Sequence, residues 1–327
     1  MTRAQKTLLI IASIFLLITL YFTLFPGYKV VKIMGEGYVS SINHIDDNVY
    51  FTRYGLPDSA IERKASFGII DDKLQIRHQQ IIVEQNIIEV HDKLQDSVLL
   101  ETYSSNSYYL YNNAEGLRLI SAPMEDCYLW DLHMPQNSND LLFECHTGQV
   151  MSTNPYFDNS TLLKKLSTYT ISNIHDTLMK DGELVGIIVS LRDSQNLLYF
   201  HESGSVVIDE GSFSSINSMF NQDGMIASVL RTELSRYGLQ INGVDGKIAS
   251  RITGFQSAEV FPEHRMVVYD DYSHFVIQRM DTTFGEVLCK VPIPWFSKAT
   301  AFELSPDRKK LYVGFMNGNL YIYNIDI

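Results

Sequence analysis

The sequence predicts an all-β fold: a seven-bladed β-propeller preceded by one N-terminal transmembrane helix. Three observations lead there. An apolar run of 19 residues, Thr7 to Phe25, carries no charge. Beyond it, one strand pattern recurs seven times at intervals of 41 to 49 residues. The last of these units stops one strand short, and a strand-like segment that belongs to no other unit directly follows the apolar run.

The apolar run comes first in the chain. At about 1.5 Å rise per residue it spans roughly 28 Å, the thickness of a bilayer's hydrocarbon core. Arg3 and Lys6 precede it, and Tyr21 and Phe22 lie near its far end, where aromatic rings suit the interface. A cleaved signal peptide is the competing reading. Its apolar region is usually about 7–15 residues, and a small-x-small cleavage site should follow directly. Gly35-Glu36-Gly37 has that form but lies ten residues past the run, so the sequence favours an uncleaved anchor. The flanking charges tie, Arg3 and Lys6 against Lys29 and Lys32. The short tail before a large C-terminal domain then suggests residues 1–6 in the cytoplasm, a signal anchor over 7–25, and a periplasmic or extracellular domain over 28–327.

The repeat is read from its second strand. Apolar strands begin near Val49, Val98, Leu141, Leu184, Met225, Met266 and Leu311, at spacings of 49, 43, 43, 41, 41 and 45 residues. A polar turn precedes each, from Asp46-Asp47 to Pro306-Asp307, and further apolar strands follow, such as SYYLYNN, NLLYFHE and NLYIYNI. A period of about 40–45 residues with four strands per unit is propeller grammar. The third unit is the least regular, with Asn154 to Leu162 reading as a long polar connection.

The final unit is the clearest. In AFELSPDRKKLYVGFMNGNLYIYNIDI, a Ser-Pro-Asp turn and an Asn-Gly turn separate three strands. Leu304-Ser305-Pro306-Asp307 and the hairpin LYVGFMNGNLYIYNID resemble a repeat of WD40-like or YVTN-like propellers. The Gly-His and Trp-Asp hallmarks of true WD40 repeats are absent, so the resemblance implies a fold and no particular activity. It also implies that a terminal strand closes the ring, because an open blade would expose an unpaired edge. Tyr28 to Met34 is the candidate, and the face carrying the first-to-second-strand turns would then lie against the bilayer.

Composition narrows the function classes. The net charge is −12 and no basic run follows the N-terminal segment, which argues against nucleic-acid binding. The 327 residues include 19 Tyr and 17 Phe but 2 Trp, ample for a large core and far from the tryptophan-rich repeats of quinoprotein blades. No sialidase-type Asp box, Gly-x-Ser-x-Gly, His-Glu-x-x-His or Walker loop is present.

Three groups of residues are candidates for chemistry. His44, His91, His133 and His175 sit near the end of the first strand of units one to four, where Met219, Phe261 and Leu304 stand in later units. Those apolar equivalents make it a packing position between blades, and strands diverging around a channel argue against four imidazoles meeting one metal ion. Cys127 and Cys145 flank one turn in opposed strands, so they form either a cross-strand disulfide or two buried thiols, while Cys289 is left single. Asp46-Asp47, Asp71-Asp72 and Asp270-Asp271 fall in turns, where Asp bonds the local backbone, and lack the Asp-x-Asp-x-Asp-Gly loop of a calcium site.

The function expected is therefore a membrane-anchored, non-catalytic binding or scaffold module that meets a protein partner at the membrane or in the periplasm, with no cofactor and no metal. Its candidate partner-binding residues lie on loops of the outward face: Asp58, Glu62 and Arg63 in the Gly55–Lys64 insertion, then Tyr272, Trp295 and Phe296. Two alternatives remain: a propeller hydrolase, lactonase-like or carbohydrate-active, with a site at the channel mouth, and an inhibitor or immunity-type protein whose acidic surface meets a basic target.

Overall fold

The computed structural model describes residues 12–14, 27–33, 37–54, 65–71, 73–82, 87–94, 96–102, 108–120, 129–135, 141–145, 147–153, 160–163, 166–181, 183–192, 194, 196–201, 204–209, 214–220, 225–231, 237–294 and 298–327. Among them, seven four-stranded antiparallel sheets succeed one another along the chain. The first strand, β1 (Tyr28–Lys32), belongs to the last sheet. Blade one holds β2 (Tyr38–Ile45), β3 (Asn48–Tyr54), β4 (Ala65–Ile70) and β5 (Ile76–Ile82). Blade two holds β6 (Ile87–Leu94), β7 (Ser97–Thr102), β8 (Tyr108–Asn112) and β9 (Gly116–Ile120). Blade three holds β10 (Leu129–His133), β11 (Leu141–Cys145), β12 (Val150–Thr153) and β13 (Ser160–Leu162). Blade four follows with β14 (Ile171–Lys180), β15 (Glu183–Leu191), β16 (Leu197–His201) and β17 (Gly204–Asp209). Blade five has β18 (Ser214–Phe220), β19 (Ile226–Arg231), β20 (Tyr237–Asn242) and β21 (Ile248–Phe255). Blade six has β22 (Ala258–Phe261), β23 (Met266–Asp270), β24 (His274–Met280) and β25 (Phe284–Pro292). Blade seven combines β26 (Ala299–Leu304), β27 (Lys310–Phe315) and β28 (Asn319–Asn324) with β1 on its outer edge.

The middle strands explain why the repeat is visible in the sequence. A second strand packs against the neighbouring blades on both faces, so β11 is buried at every position and β27 at all but its first. Both faces apolar gives a continuous hydrophobic run. The outer strands are half solvated: β25 is buried only at Val291. Blade three differs from the sequence reading, since Ser160–Leu162 pairs with β12 as an outer strand rather than forming part of a connection.

Cores form between blades. Phe275 on β24 meets Phe302, Phe315 and Tyr323 of blade seven, with ring centroids 5.4, 5.9 and 5.8 Å apart. At the seam between blades seven and one, Val31, Val39, Phe51, Tyr312, Leu320 and Ile322 form one buried cluster. Gly314 is required there, because a Cβ would stand 2.7 Å from Val39. The first-to-second-strand turns are built from left-handed residues, Asp46, Asp181, Arg265 and Arg308. In the Ser-Pro-Asp turn, Ser305 Oγ donates to Asp307 and accepts from the amides of Lys309 and Lys310. The acidic pairs act locally too: Asp71 accepts from the amide of Gln75, Asp270 from that of Tyr272, and Asp271 from those of Ser273 and His274.

β1 runs antiparallel to β28 in continuous register, from Tyr28 opposite Tyr323 to Lys32 opposite Asn319. Its first residue therefore lies beside the end of β28, on the face of the first-to-second-strand turns. The Ile325 amide donating to the Lys309 carbonyl marks the same face. The Nζ of Lys29 reaches the Leu74 carbonyl of blade one at 3.3 Å, tying the last blade to the first. Of the apolar run, residues 12–14 are described and helical. Among the described residues no helix is long and apolar enough to cross a membrane.

Candidate functional site

First strands of blades seven and one, one and two, three and four, four and five, and six and seven pack side by side, and blades two to four carry polar side chains on or beside these inner strands. Glu89 and His91 are two apart on β6 and so share one face. Glu101 on β7 stands in register with Glu89. The His91 Nε2 lies 2.9 Å from a Glu101 carboxylate oxygen. Donor atoms of Glu89, His91 and Glu101 all fall within 4.8 Å of one another. One blade on, the Nε2 of His133 sits 3.2 Å from the Thr177 hydroxyl and 3.8 Å from a carboxylate oxygen of Asp176, both on β14. The Nε2 of His175 is 2.6 Å from the Ser190 hydroxyl on β15. Asp176 accepts from the amide of Phe220 on β18 and from that of Thr177, both at 2.7 Å.

Irregular pairing makes this convergence possible. β14 shifts register between Ile174 and Asp176, so His175 and Asp176 escape the strict alternation that would send adjacent side chains to opposite faces. β6 shifts likewise between Ile87 and Glu89 and again between Val90 and Lys93.

The electrostatics are those of a confined polar interior. Burial pulls His133 down to about 3, with His91 and His175 adding in the same direction. Burial pulls His175 down to about 4. Burial lifts Asp176 to about 6 against the two amides that hold its carboxylate. Glu89 is also raised, by burial first; His91 opposes the shift and Glu101 reinforces it. Solvent nevertheless reaches the Glu89 side chain. Groups perturbed by burial and by one another mark candidate functional positions. His133 and His175 are thus neutral near pH 7, able to accept hydrogen bonds or ligate.

The structure separates the four histidines. His44 packs at the seam of blades seven and one, its ring centroid 6.4 Å from that of Tyr312, in keeping with a packing position. The other three join the channel group. The sequence reading missed Glu89, Glu101 and Asp176. The alternation Glu89-x-His91 was the available sign.

The outward loops form a second candidate surface. Tyr272, in the turn between β23 and β24, is 51% exposed with φ of 73°. The amide of Ile293 donates to the Ser273 carbonyl, tying that turn to the connection between blades six and seven. Asp58, Glu62, Arg63, Trp295 and Phe296 lie outside the described residues. On the opposite face, a cavity of about 210 Å³ between blades six and seven is lined by His264, Arg265, Arg279, Asp281 and Arg308. Arg265 pairs with Asp281 at 3.2 Å, and Arg279 with Glu286 at 3.6 Å. Cys145 is disulfide-bonded and Cys289 carries a free thiol, while Cys127 lies outside the described residues.

No family model and no curated protein matches the chain. Solved structures do. A catalytically inactive virginiamycin B lyase variant from Staphylococcus aureus with quinupristin is 11% identical at a TM-score of 0.58, over 91% of this chain and 99% of that one. YCF48 bound to D1 peptide is 10% identical at a TM-score of 0.59, over 92% and 98%. A streptogramin B lyase is 9% identical at a TM-score of 0.60, over 91% and 97%. At such identities the likeness is one of fold, and the fold of this chain is the seven-bladed β-propeller.

Proposed function

We propose that the chain is a membrane-anchored, non-catalytic binding propeller, acting in protein–protein interaction at the cell envelope. The observation that carries this reading is the position of β1. It begins two residues after Pro26, close behind the apolar run, on the face of the first-to-second-strand turns. An anchor formed by residues 7–25 would hold that face towards the bilayer and present Tyr272 and the other outward loops to a partner. YCF48, of the same fold, is bound to a peptide, which supports a propeller of this build serving recognition. The disulfide at Cys145 suits an oxidising compartment such as the periplasm.

The test is site-specific photo-crosslinking in whole cells, with the photoreactive residue at Tyr272 and, as control, at Val244 on the opposite face. A discrete adduct from Tyr272 that is absent from Val244 supports the reading. Equal adducts, or none from Tyr272, would sink it. A second reading, an enzyme with its site in the channel, is favoured by the perturbed His133–Asp176 and Glu89–His91–Glu101 groups. His175 and Ser190 form a hydroxyl–imidazole contact, yet no carboxylate among the described residues pairs with His175 to orient it.

A further inference from the structure

We infer that Glu89, His91 and Glu101 form a binding site for one divalent first-row metal ion, zinc or manganese in character, inside the central channel. The inference stands apart from the partner-binding reading and rests first on register. Glu89 lies directly across the β6–β7 ladder from Glu101. Like charges at opposed positions destabilise a sheet. Among the described residues no lysine or arginine pairs with either carboxylate, and the one ion pair they make is with His91, which is charged only when protonated.

The third group at the site is an imidazole, and it is placed as a ligand would be. The His91 Nε2, 2.9 Å from Glu101, completes a triangle of donor atoms within 4.8 Å of one another. An ion about 2.0–2.2 Å from each donor would bridge separations up to roughly 4.4 Å. Closing the remaining few tenths of an ångström needs only torsion of the glutamate side chains. One nitrogen and two carboxylates suit zinc, manganese or iron better than calcium or magnesium. Three protein ligands would leave the rest of the ion's coordination to water or a bound group. His133 and His175, held neutral by burial, add no positive charge to repel a cation. Solvent access to Glu89 gives the ion a way in.

The test uses the full chain in detergent, stripped with EDTA, dialysed, and titrated calorimetrically with Zn²⁺ and, separately, Mn²⁺. Native mass spectrometry counts the ions bound. The expected result is one saturable site for at least one of the two ions and a higher melting temperature on loading. His91→Ala should abolish uptake, and Glu89→Gln or Glu101→Gln should each weaken it at least tenfold. Asp271→Asn, on the loop face, should leave it unchanged. Because the glutamine variants remove opposed charges without removing volume, they keep the test open if His91→Ala fails to fold. No saturable uptake of either ion would overturn the inference. So would uptake unaltered in the Glu89→Gln/Glu101→Gln double variant. A melting temperature that responds to pH but not to metal would show a proton neutralising the pair, and would overturn it equally.

Discussion

Arg53 on β3 donates its Nε to the Gly37 carbonyl at 3.2 Å. A second guanidinium nitrogen donates to the Ile33 carbonyl, and the residue is 7% exposed. One buried charge thus grips both sides of the link between the closing strand and blade one. Replacing Arg53 with Met keeps much of the apolar stem but leaves two carbonyls without this donor. Charged hydrogen bonds of this kind contribute about 1.5–3 kcal/mol each, so a loss of roughly 3 kcal/mol is expected in urea unfolding. Gly318→Ala reaches the same seam from the other side. Its Cβ would stand 2.2 Å from the guanidinium at a φ of +76°, and a loss of about 1–2 kcal/mol should follow.

Truncation tests the ring closure. Removing residues 1–26 leaves β1 paired and should leave the melting temperature within a few degrees. Removing 1–34 strips the outer edge of β28 and takes Val31 and Ile33 out of the seam cluster. Two buried aliphatic side chains contribute about 1.5–3 kcal/mol each, before the ladder is counted. Against a typical total of about 5–15 kcal/mol, that loss should leave the longer truncation unfolded or aggregated at 37 °C, as circular dichroism would show. Equal melting curves for the two truncations would contradict the closure.

Acid should destabilise the channel. His133 and His175 are depressed in the folded state, so their stabilising contribution is complete above their ordinary value of 6.5. It is lost as pH falls towards about 4 and about 3. Asp176, raised to about 6, works the other way, because protonating it between pH 6 and 4 relieves a folded-state penalty. At about 1.4 kcal/mol per unit, two histidines against one carboxyl give a net loss on the order of 3 kcal/mol by pH 4. His133→Gln retains a hydrogen-bonding group beside Thr177 and should flatten the acid limb of stability against pH. An unchanged slope would show that His133 does not titrate in that range.

Thiol counting tests the redox state. The chain has three cysteines. Alkylation of protein denatured without reductant should label one, Cys289, and reduction beforehand should raise the count to three. Three labelled thiols without reductant would place the chain in a reducing compartment and count against the envelope reading.

The blades were legible because their second strands bury both faces, as β11 and β27 do, leaving apolar runs that recur at a steady interval. β13 was hidden for a different reason: three residues are too few to show an alternation. The histidines could be aligned across blades, but their company could not. His175 and Asp176 are sequence neighbours that alternation assigns to opposite faces, and the shift in β14 pairing that overrides it leaves no mark in residue type. Glu101 reaches His91 only through strand register, which a single turn length does not fix once the pairing is irregular. The outward loops were found by topology alone, and Tyr272 is the one candidate there whose side chain the structure describes.

The closing strand also governs how the propeller answers to force. Any pull on the chain upstream of Gly27 is delivered to a strand of five residues held by β28. Tension along the strand axis loads all its crosswise backbone bonds together, as in a lap joint. Tension outward from the rim opens them one at a time, beginning at Tyr28 and Tyr323. A partner gripped by the opposite face would therefore meet a tether that is strong in one direction and yields by peeling in the other.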